Sequence, residues 1–377
     1  MNRRKQSELL GLDLAELTAL AEQNGEPRYR GQQLFEGLYR QRATAIEEIS
    51  TLPREFKRVI NESGTGIGLP VIEKKFVSRD GTIRYLVRFG DGQSVETVWM
   101  PEGDEGESGD GSDAGDRMQK GTGRGWDRAT ICLSSQVGCA VDCQFCMTAL
   151  LGAKRNLSPG EMVGQVLAVL NDQGVSPPEN RVNLVFMGMG EPFLNYSNFI
   201  KAVRLLVAGA GIPESRMTVS TAGIVPRIYD FGKEEVRPKL AISLNASNDE
   251  LRTQLMPLNR KWNLEKLMAA AREFPLRARE RLTFEYVLLN NVNDSFQNAR
   301  EVADLIIGIR AKVNLIALNP GPDIPFRTPS ETAVNAFQHV LTAAGIPTFV
   351  RRPRGRDIYA ACGQLKRTTE LVRLEKA

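Results

Sequence analysis

Histidine is almost missing from this chain of 377 residues: His339 is the only one. A metal centre or acid–base pair built on imidazole has at most that one side chain to use. Long apolar runs are also missing. No stretch approaches the roughly 18 consecutive apolar residues of a membrane-spanning helix. The opening Met1-Asn2-Arg3-Arg4-Lys5-Gln6-Ser7-Glu8 is basic, but no apolar core follows it. A secretory signal is therefore not expected. The expectation is a cytoplasmic protein with no membrane partner. Net charge is only +4, too small on its own to imply a nucleic-acid partner. The remaining composition, 42% hydrophobic and 25% charged, is that of a globular chain long enough for two or three domains. Only five cysteines are present. In a reducing compartment such thiols serve metal or redox chemistry rather than structural cross-links.

Three of the five thiols stand in one short stretch, Cys139-Ala140-Val141-Asp142-Cys143-Gln144-Phe145-Cys146, with C-x3-C-x2-C spacing. Thiolates are soft ligands that suit iron or zinc. A closed structural zinc site wants four ligands, and no fourth lies nearby. A [4Fe–4S] cluster held by three thiolates keeps one iron without a protein ligand, which leaves it open to a substrate or cofactor. Cys132 and Cys362 remain outside this loop.

Residues 1–62 read as a helical accessory domain. Leu14, Leu17, Leu20 and Ala21 recur at helical spacing, as do Leu34, Phe35, Leu38 and Tyr39. Its ten basic and ten acidic residues balance, so RNA docking and a plain packed cap are both open readings. Residues 63–101 alternate in period two around turns at Asp80-Gly81 and Asp91-Gly92, which predicts a small antiparallel sheet. Glu96 falls in its last strand. Residues 102–127 form a Gly-rich, acidic insertion with too little apolar surface to offset its ordering entropy. From residue 128 to 350, strands alternate with helices, which predicts a parallel α/β sheet of about six units. Ser158-Pro159-Gly160-Glu161 and Thr328-Pro329-Ser330-Glu331 read as capping boxes, and Asn195 and Asn263 as further caps. His339 lies within the last helix. Residues 351–377 form a basic segment that carries Cys362, suited to a phosphate-rich substrate.

In a barrel of strand–helix units, chemistry sits beyond the C-terminal ends of the strands. Gly188-Met189-Gly190-Glu191-Pro192 follows the second strand, where glycines allow close approach and Glu191 can accept from an ammonium group. Ser220 follows the third strand, Ser243-Leu244-Asn245 the fourth and Asn319 the sixth.

The three-thiol loop with an aromatic before its last cysteine resembles the signature of radical S-adenosylmethionine (SAM) proteins, and Gly190-Glu191-Pro192 matches their GEP motif. Together with Arg128–Cys139, Ser220–Pro226, Ala241–Ala246 and Ala360–Leu365, these motifs resemble the RlmN family over nearly the whole chain except the insertion. Those enzymes methylate carbon-2 of adenine in 23S rRNA and tRNA. Asn245 departs from the pattern, since many members have histidine there.

The resemblance implies a partial (β/α)6 radical SAM barrel with the helical domain and small sheet appended. It implies a [4Fe–4S] cluster on Cys139, Cys143 and Cys146, and SAM held by Gly190, Glu191, Ser220, Ser243, Leu244, Asn245 and Asn319. It also implies a two-SAM route. One SAM methylates Cys362; a second, cleaved by one electron, yields a radical that takes hydrogen from that methyl group. The resulting carbon radical adds to adenine C2, linking RNA to protein. A base matching Glu96 or Cys132 removes the C2 proton. Cys132 then attacks the Cys362 sulfur, which leaves a disulfide for an external reductant to reopen. An external electron donor of flavodoxin type is the other implied partner. Two alternatives stay open: a Cfr-like methyltransferase acting on adenine C8, and an RNA-binding iron–sulfur redox sensor with no enzymatic activity.

Overall fold

The computed structural model describes residues 8–102, 126, 128–177 and 179–365. The expected insertion lies almost wholly outside these residues, as does the end of the basic segment.

Among the described residues, ten strands form one continuous sheet. The hairpins form where the Asp-Gly turns place them: β1 (Val71–Val77), β2 (Ile83–Arg88) and β3 (Ser94–Glu102) pair antiparallel. The expectation of a separate small sheet gives way to a continuous one. β3 pairs antiparallel with β4 (Arg128–Cys132), so the hairpins extend the edge of the main sheet. Pairing lets β3 and β4 share one core and saturate each other's backbone groups. Glu102 and Arg128 are register partners, so the two ends of the insertion lie side by side.

A short hairpin of β5 (Gln136–Gly138) and β6 (Ala153–Asn156) follows, with the three-thiol loop as its connection. The parallel part then continues from β4 through β7 (Arg181–Phe186), β8 (Met217–Thr221), β9 (Lys239–Ser243), β10 (Leu282–Leu288) and β11 (Ala311–Ala317). Each of these six strands leads to a helix, as expected for six strand–helix units. β12 (Thr348–Arg351) pairs parallel with β11 and adds the expected edge strand.

Local chemistry sets most helix starts. Ser158 accepts from Glu161 N and the Glu161 side chain returns the bond, so the first box caps Pro159–Gln173. Asn263 caps Leu264–Glu273. Two expectations shift. The cap of Glu331–Ala343 is Ser330, not Thr328, because the Thr328 hydroxyl donates to Leu318 O instead. Asn195 stands at the start of Tyr196–Ala208 but does not cap it. Its amide donates to Ser135 O and Leu157 O, tying the segments that flank the thiol loop. His339 is solvent-exposed.

The N-terminal helices Leu14–Gln23, Tyr29–Phe35 and Arg54–Glu62 form as the periodicity predicts. Their buried residues Leu17, Ala21, Leu34 and Phe56 join the same apolar core as the sheet. Tyr39 fastens the segment before them, its hydroxyl donating to Leu12 O and accepting from Gly11 N.

The two faces of the sheet differ. Ile131, Leu184, Val219, Ile242, Phe284 and Val313 point to the helices and are fully buried. Residues of the opposite parity share the other face. Register partners trace it from Cys132 to Val185 and Thr218, from Ser220 to Ala241, and from Ser243 to Glu285 and Asn314. Arg351 is two residues beyond Phe349, the partner of Asn314, and so shares that face. Val185, Ser220, Ser243, Glu285 and Arg351 are only partly buried, so this inner face borders an open chamber.

Candidate active site

The three-thiol loop is held at its base and from above. Gly138 takes φ +80°, and a Cβ there would meet Gly152 O at 1.8 Å, so only glycine closes the hairpin. Cys139 N donates to Gly152 O, Cys146 N to Cys143 O and Val141 N to Cys139 Sγ at 3.4 Å. Burial pushes the Cys139 thiol up to about 12 and Cys143 well above its usual range. Among the described residues no three thiol, carboxylate or imidazole groups converge tightly enough to share a single metal ion. A cubane cluster asks less of the loop, because each thiolate binds a different iron. The donor set fits it: three thiols, an N–H already directed at one sulfur, and protons that metal binding would displace.

Glu191 faces this loop. Its carboxylate accepts from Phe193 N at 3.0 Å and from Ala222 N at 2.7 Å, which joins the GEP turn to the end of β8. Desolvation nonetheless raises it to about 7. Gly190 has φ +98°, and a Cβ would meet Gln136 N at 2.7 Å. The close approach lets the Gln136 side chain accept from Glu191 N at 2.9 Å. A carboxylate this short of solvent is suited to a cationic ligand, since an ammonium group would restore its charged form.

The other expected SAM ligands divide into two groups. Ser220 and Ser243 face the chamber with their hydroxyl oxygens 3.3 Å apart. Asn319 is buried; its amide donates to Cys362 O at 3.4 Å, and its Oδ1 has no partner among the described residues. An orphaned buried acceptor beside Cys362 fits a ligand that brings a donor. Leu244 and Asn245 are already engaged. Leu244 O accepts from Arg252, while Asn245 accepts from Val287 N and directs its amide at Met256 Sδ. Asn245 also takes φ +58°, a conformation asparagine tolerates.

Cys132 and Cys362 come from distant parts of the chain to the same chamber. Both are free thiols, as are the other three cysteines. Cys132 ends β4 and is buried, and desolvation followed by the charge of Cys362 raises its thiol strongly. Cys362 is exposed to the chamber, yet protein lies close enough for desolvation to push it up to about 11. Its loop is pinned on both sides. Met147 N donates to Gly363 O at 2.8 Å, Thr148 Oγ1 to Leu365 O at 2.7 Å, and Gln364 Nε2 to Pro320 O at 2.7 Å. Asp80 accepts from Gly355 N, and Ser78 donates to Asp357 at 2.6 Å, so the β1–β2 turn clasps the same segment.

Glu96 shares the face of Cys132, two residues from its register partner Val98. It is fully buried and ion-paired with the equally buried Arg84 on β2. Sequence reasoning missed two residues. Arg252 is fully buried and donates to Leu244 O, Ala222 O, Ser243 O and Asn259 Oδ1, holding the ends of β8 and β9 together. Glu285, in the middle of β10, receives Ser220 Oγ at 3.4 Å. It is the carboxylate whose charge bears on both Cys132 and Cys362. Period-two alternation was the available clue to Glu285, since it places that acid on the inner face.

The model of the radical SAM superfamily matches residues 133–303. A probable dual-specificity RNA methyltransferase RlmN of Koribacter versatilis is 66% identical over 353 residues, 94% of this chain and 99% of the relative. The chain belongs to the RlmN family. The dual-specificity RNA methyltransferase RlmN of Syntrophobacter fumaroxidans is 44% identical, covering 93% of this chain and 96% of the relative. A radical SAM methyltransferase from Sphaerobacter thermophilus has a crystal structure that superimposes with a TM-score of 0.84. It shares 41% identity over 96% of this chain and 100% of that one. RlmN membership makes the chain a radical SAM enzyme with a [4Fe–4S] cluster and SAM as its cofactors. None of the described helices is long and apolar enough to cross a membrane.

Proposed function

We propose that this enzyme methylates carbon-2 of adenine in 23S rRNA and in tRNA, with Cys362 as the methyl carrier. The observation that carries the reading is the convergence of Cys132 and Cys362 on one chamber beside the three-thiol loop. A protein that only sensed redox state would have no use for a carrier thiol among SAM ligands.

A cluster held by Cys139, Cys143 and Cys146 would supply the electron that cleaves SAM. The chain's own residues do the rest. Cys139, Cys143 and Cys146 hold the cluster. Glu191 receives the ammonium group, and Ser220, Ser243 and Asn319 place the adenosyl part beside Cys362. Cys362 loads a methyl group and presents its carbon to the base. Cys132 attacks the Cys362 sulfur to release methylated RNA, leaving a disulfide for an external reductant. Glu96 is the candidate acceptor of the C2 proton; freeing it for that role requires exchange of its bond to Arg84. The helices of residues 1–62 and the basic segment from residue 351 dock the RNA, whose target base must leave its stack to reach the chamber. An external donor of flavodoxin type supplies electrons.

The test is anaerobic reconstitution with SAM and reductant, followed by mass spectrometry of nucleosides from both RNAs. The expected product is 2-methyladenosine from each. A product methylated at C8 would assign the Cfr-like activity, and no product with release of no 5′-deoxyadenosine would end the enzymatic reading.

A further inference from the structure

Arg252 lies on the short helix Asp249–Leu255 and is fully buried. A guanidinium in the core is costly to desolvate and persists only where several bonds engage it. Its acceptors are all neutral: Nε donates to Leu244 O at 3.0 Å, Nη1 to Asn259 Oδ1 at 2.9 Å, and Nη2 to Ala222 O at 2.8 Å and Ser243 O at 3.1 Å. A planar fork reaches such a set at fixed angles, which an ammonium group cannot copy. Asn259 is fixed in turn, its amide donating to Asp249 Oδ1 at 2.8 Å and Thr253 Oγ1 at 2.9 Å. The backbone that Arg252 grips belongs to the expected SAM site. Ala222 N donates to the Glu191 carboxylate at 2.7 Å, and Ser243 faces the chamber. The last residue of the same helix reaches the thiol loop: Leu255 O accepts from Gln144 N at 3.0 Å, between Cys143 and Cys146.

We propose that Arg252 is a positioning residue for SAM cleavage, which it serves by holding the SAM site in register with the thiol loop. The proposal rests on the placement of SAM between Glu191, Ser243 and that loop. An unbroken series of bonds runs from the Glu191 carboxylate to Ala222, from Ala222 O to Arg252, and from Leu255 O to Gln144. The carboxylate that receives the ammonium group and the loop that carries the three thiols therefore share one frame. Two further bonds, to Ser243 O and Leu244 O, fix the end of β9 in the same frame. Arg252 acts through backbone, from behind the strand ends. Reactions between held groups are steep in distance, and a misplacement of about 1 Å costs on the order of a hundredfold in rate. Loosening this one side chain would let the two halves of the site shift against each other without removing a ligand from either.

The experiment uses full-length, cluster-loaded enzyme under argon, reduced with dithionite, with rates expressed per bound iron. Arg252→Lys keeps the charge and loses the fork. It should bind as much iron as the unaltered enzyme. Its kcat for release of 5′-deoxyadenosine should fall about a hundredfold, while KM for SAM rises less than about tenfold. Its electron paramagnetic resonance spectrum should match that of the unaltered enzyme before SAM is added and differ from it afterwards. Asn259→Ala removes one anchor of the fork and leaves the carbonyl bonds. It should move the same readouts in the same directions, with kcat down about tenfold, and it carries the test if the lysine variant does not fold. An unchanged kcat per iron, or an unchanged spectrum with SAM, overturns the proposal. So does a loss of bound iron that accounts for the whole loss of activity, since that is the mark of a merely structural residue. Glu191→Ala tests the underlying reading separately: undiminished SAM affinity by calorimetry would place SAM elsewhere and remove this proposal with it.

Discussion

Two carboxylates on the same inner face behave differently. Glu96 is on the antiparallel extension, fully buried and locked to Arg84. Glu285 is on a parallel strand, half-open to the chamber, with hydroxyl and amide partners and the two thiols within range of its charge. Both are single acids in strands, and sequence gives no means of ranking them. The fold ranks them by surroundings. A carboxylate paired with a guanidinium in a dry core is costly to disturb. One that faces an open chamber and nucleophiles can exchange protons with them.

The largest effect belongs to the carrier thiol. Cys362→Ala should retain cluster and SAM yet make no methylated RNA by nucleoside mass spectrometry; full activity would end the carrier role. Next comes stability. Glu96→Gln breaks a buried pair and should cost about 3–5 kcal/mol in urea unfolding. Glu285→Gln should cost nothing or stabilise at pH 8. Burial raises the Glu285 carboxyl in the folded protein, so its charge penalises the fold as pH rises through that raised value. Equal losses in the two variants would erase the distinction.

A smaller effect concerns Glu191. Raised to about 7 from 4.5, it is protonated in the folded protein at mildly acidic pH. A protonated carboxyl cannot pair with an ammonium group, so SAM affinity by calorimetry should weaken as pH falls below about 7. In Glu191→Gln that dependence should vanish. The smallest effect is expected from deleting residues 103–124. The paired ends at Glu102 and Arg128 are already adjacent, so shortening the connection should change stability by less than about 1 kcal/mol. A folded but inactive deletion would give the insertion a role in RNA handling.

Much of the frame was legible in the sequence because it is local. Asp-Gly turns fixed the hairpins, and the Ser158 box fixed its helix. Strand-end motifs pointed to the chamber. What escaped depends on contacts between distant segments. Asn195 is a cap by spacing, yet Ser135 and Leu157 claim its amide. Thr328 yields its cap to Ser330 because the carbonyl of Leu318 lies within reach. Arg252 reads as one more basic residue on a polar helix, and only the assembled barrel shows it bonding three backbone carbonyls. The hairpin around the thiol loop was invisible because its strands are three and four residues long.

The most direct measurement uses Cys132→Ala enzyme with target RNA and SAM carrying a deuterated methyl group. The account predicts a covalent protein–RNA species on a denaturing gel. Digestion of that species should yield a peptide in which Cys362 is joined to adenosine through one labelled carbon. No covalent species, or a label joined to any other residue, would contradict it.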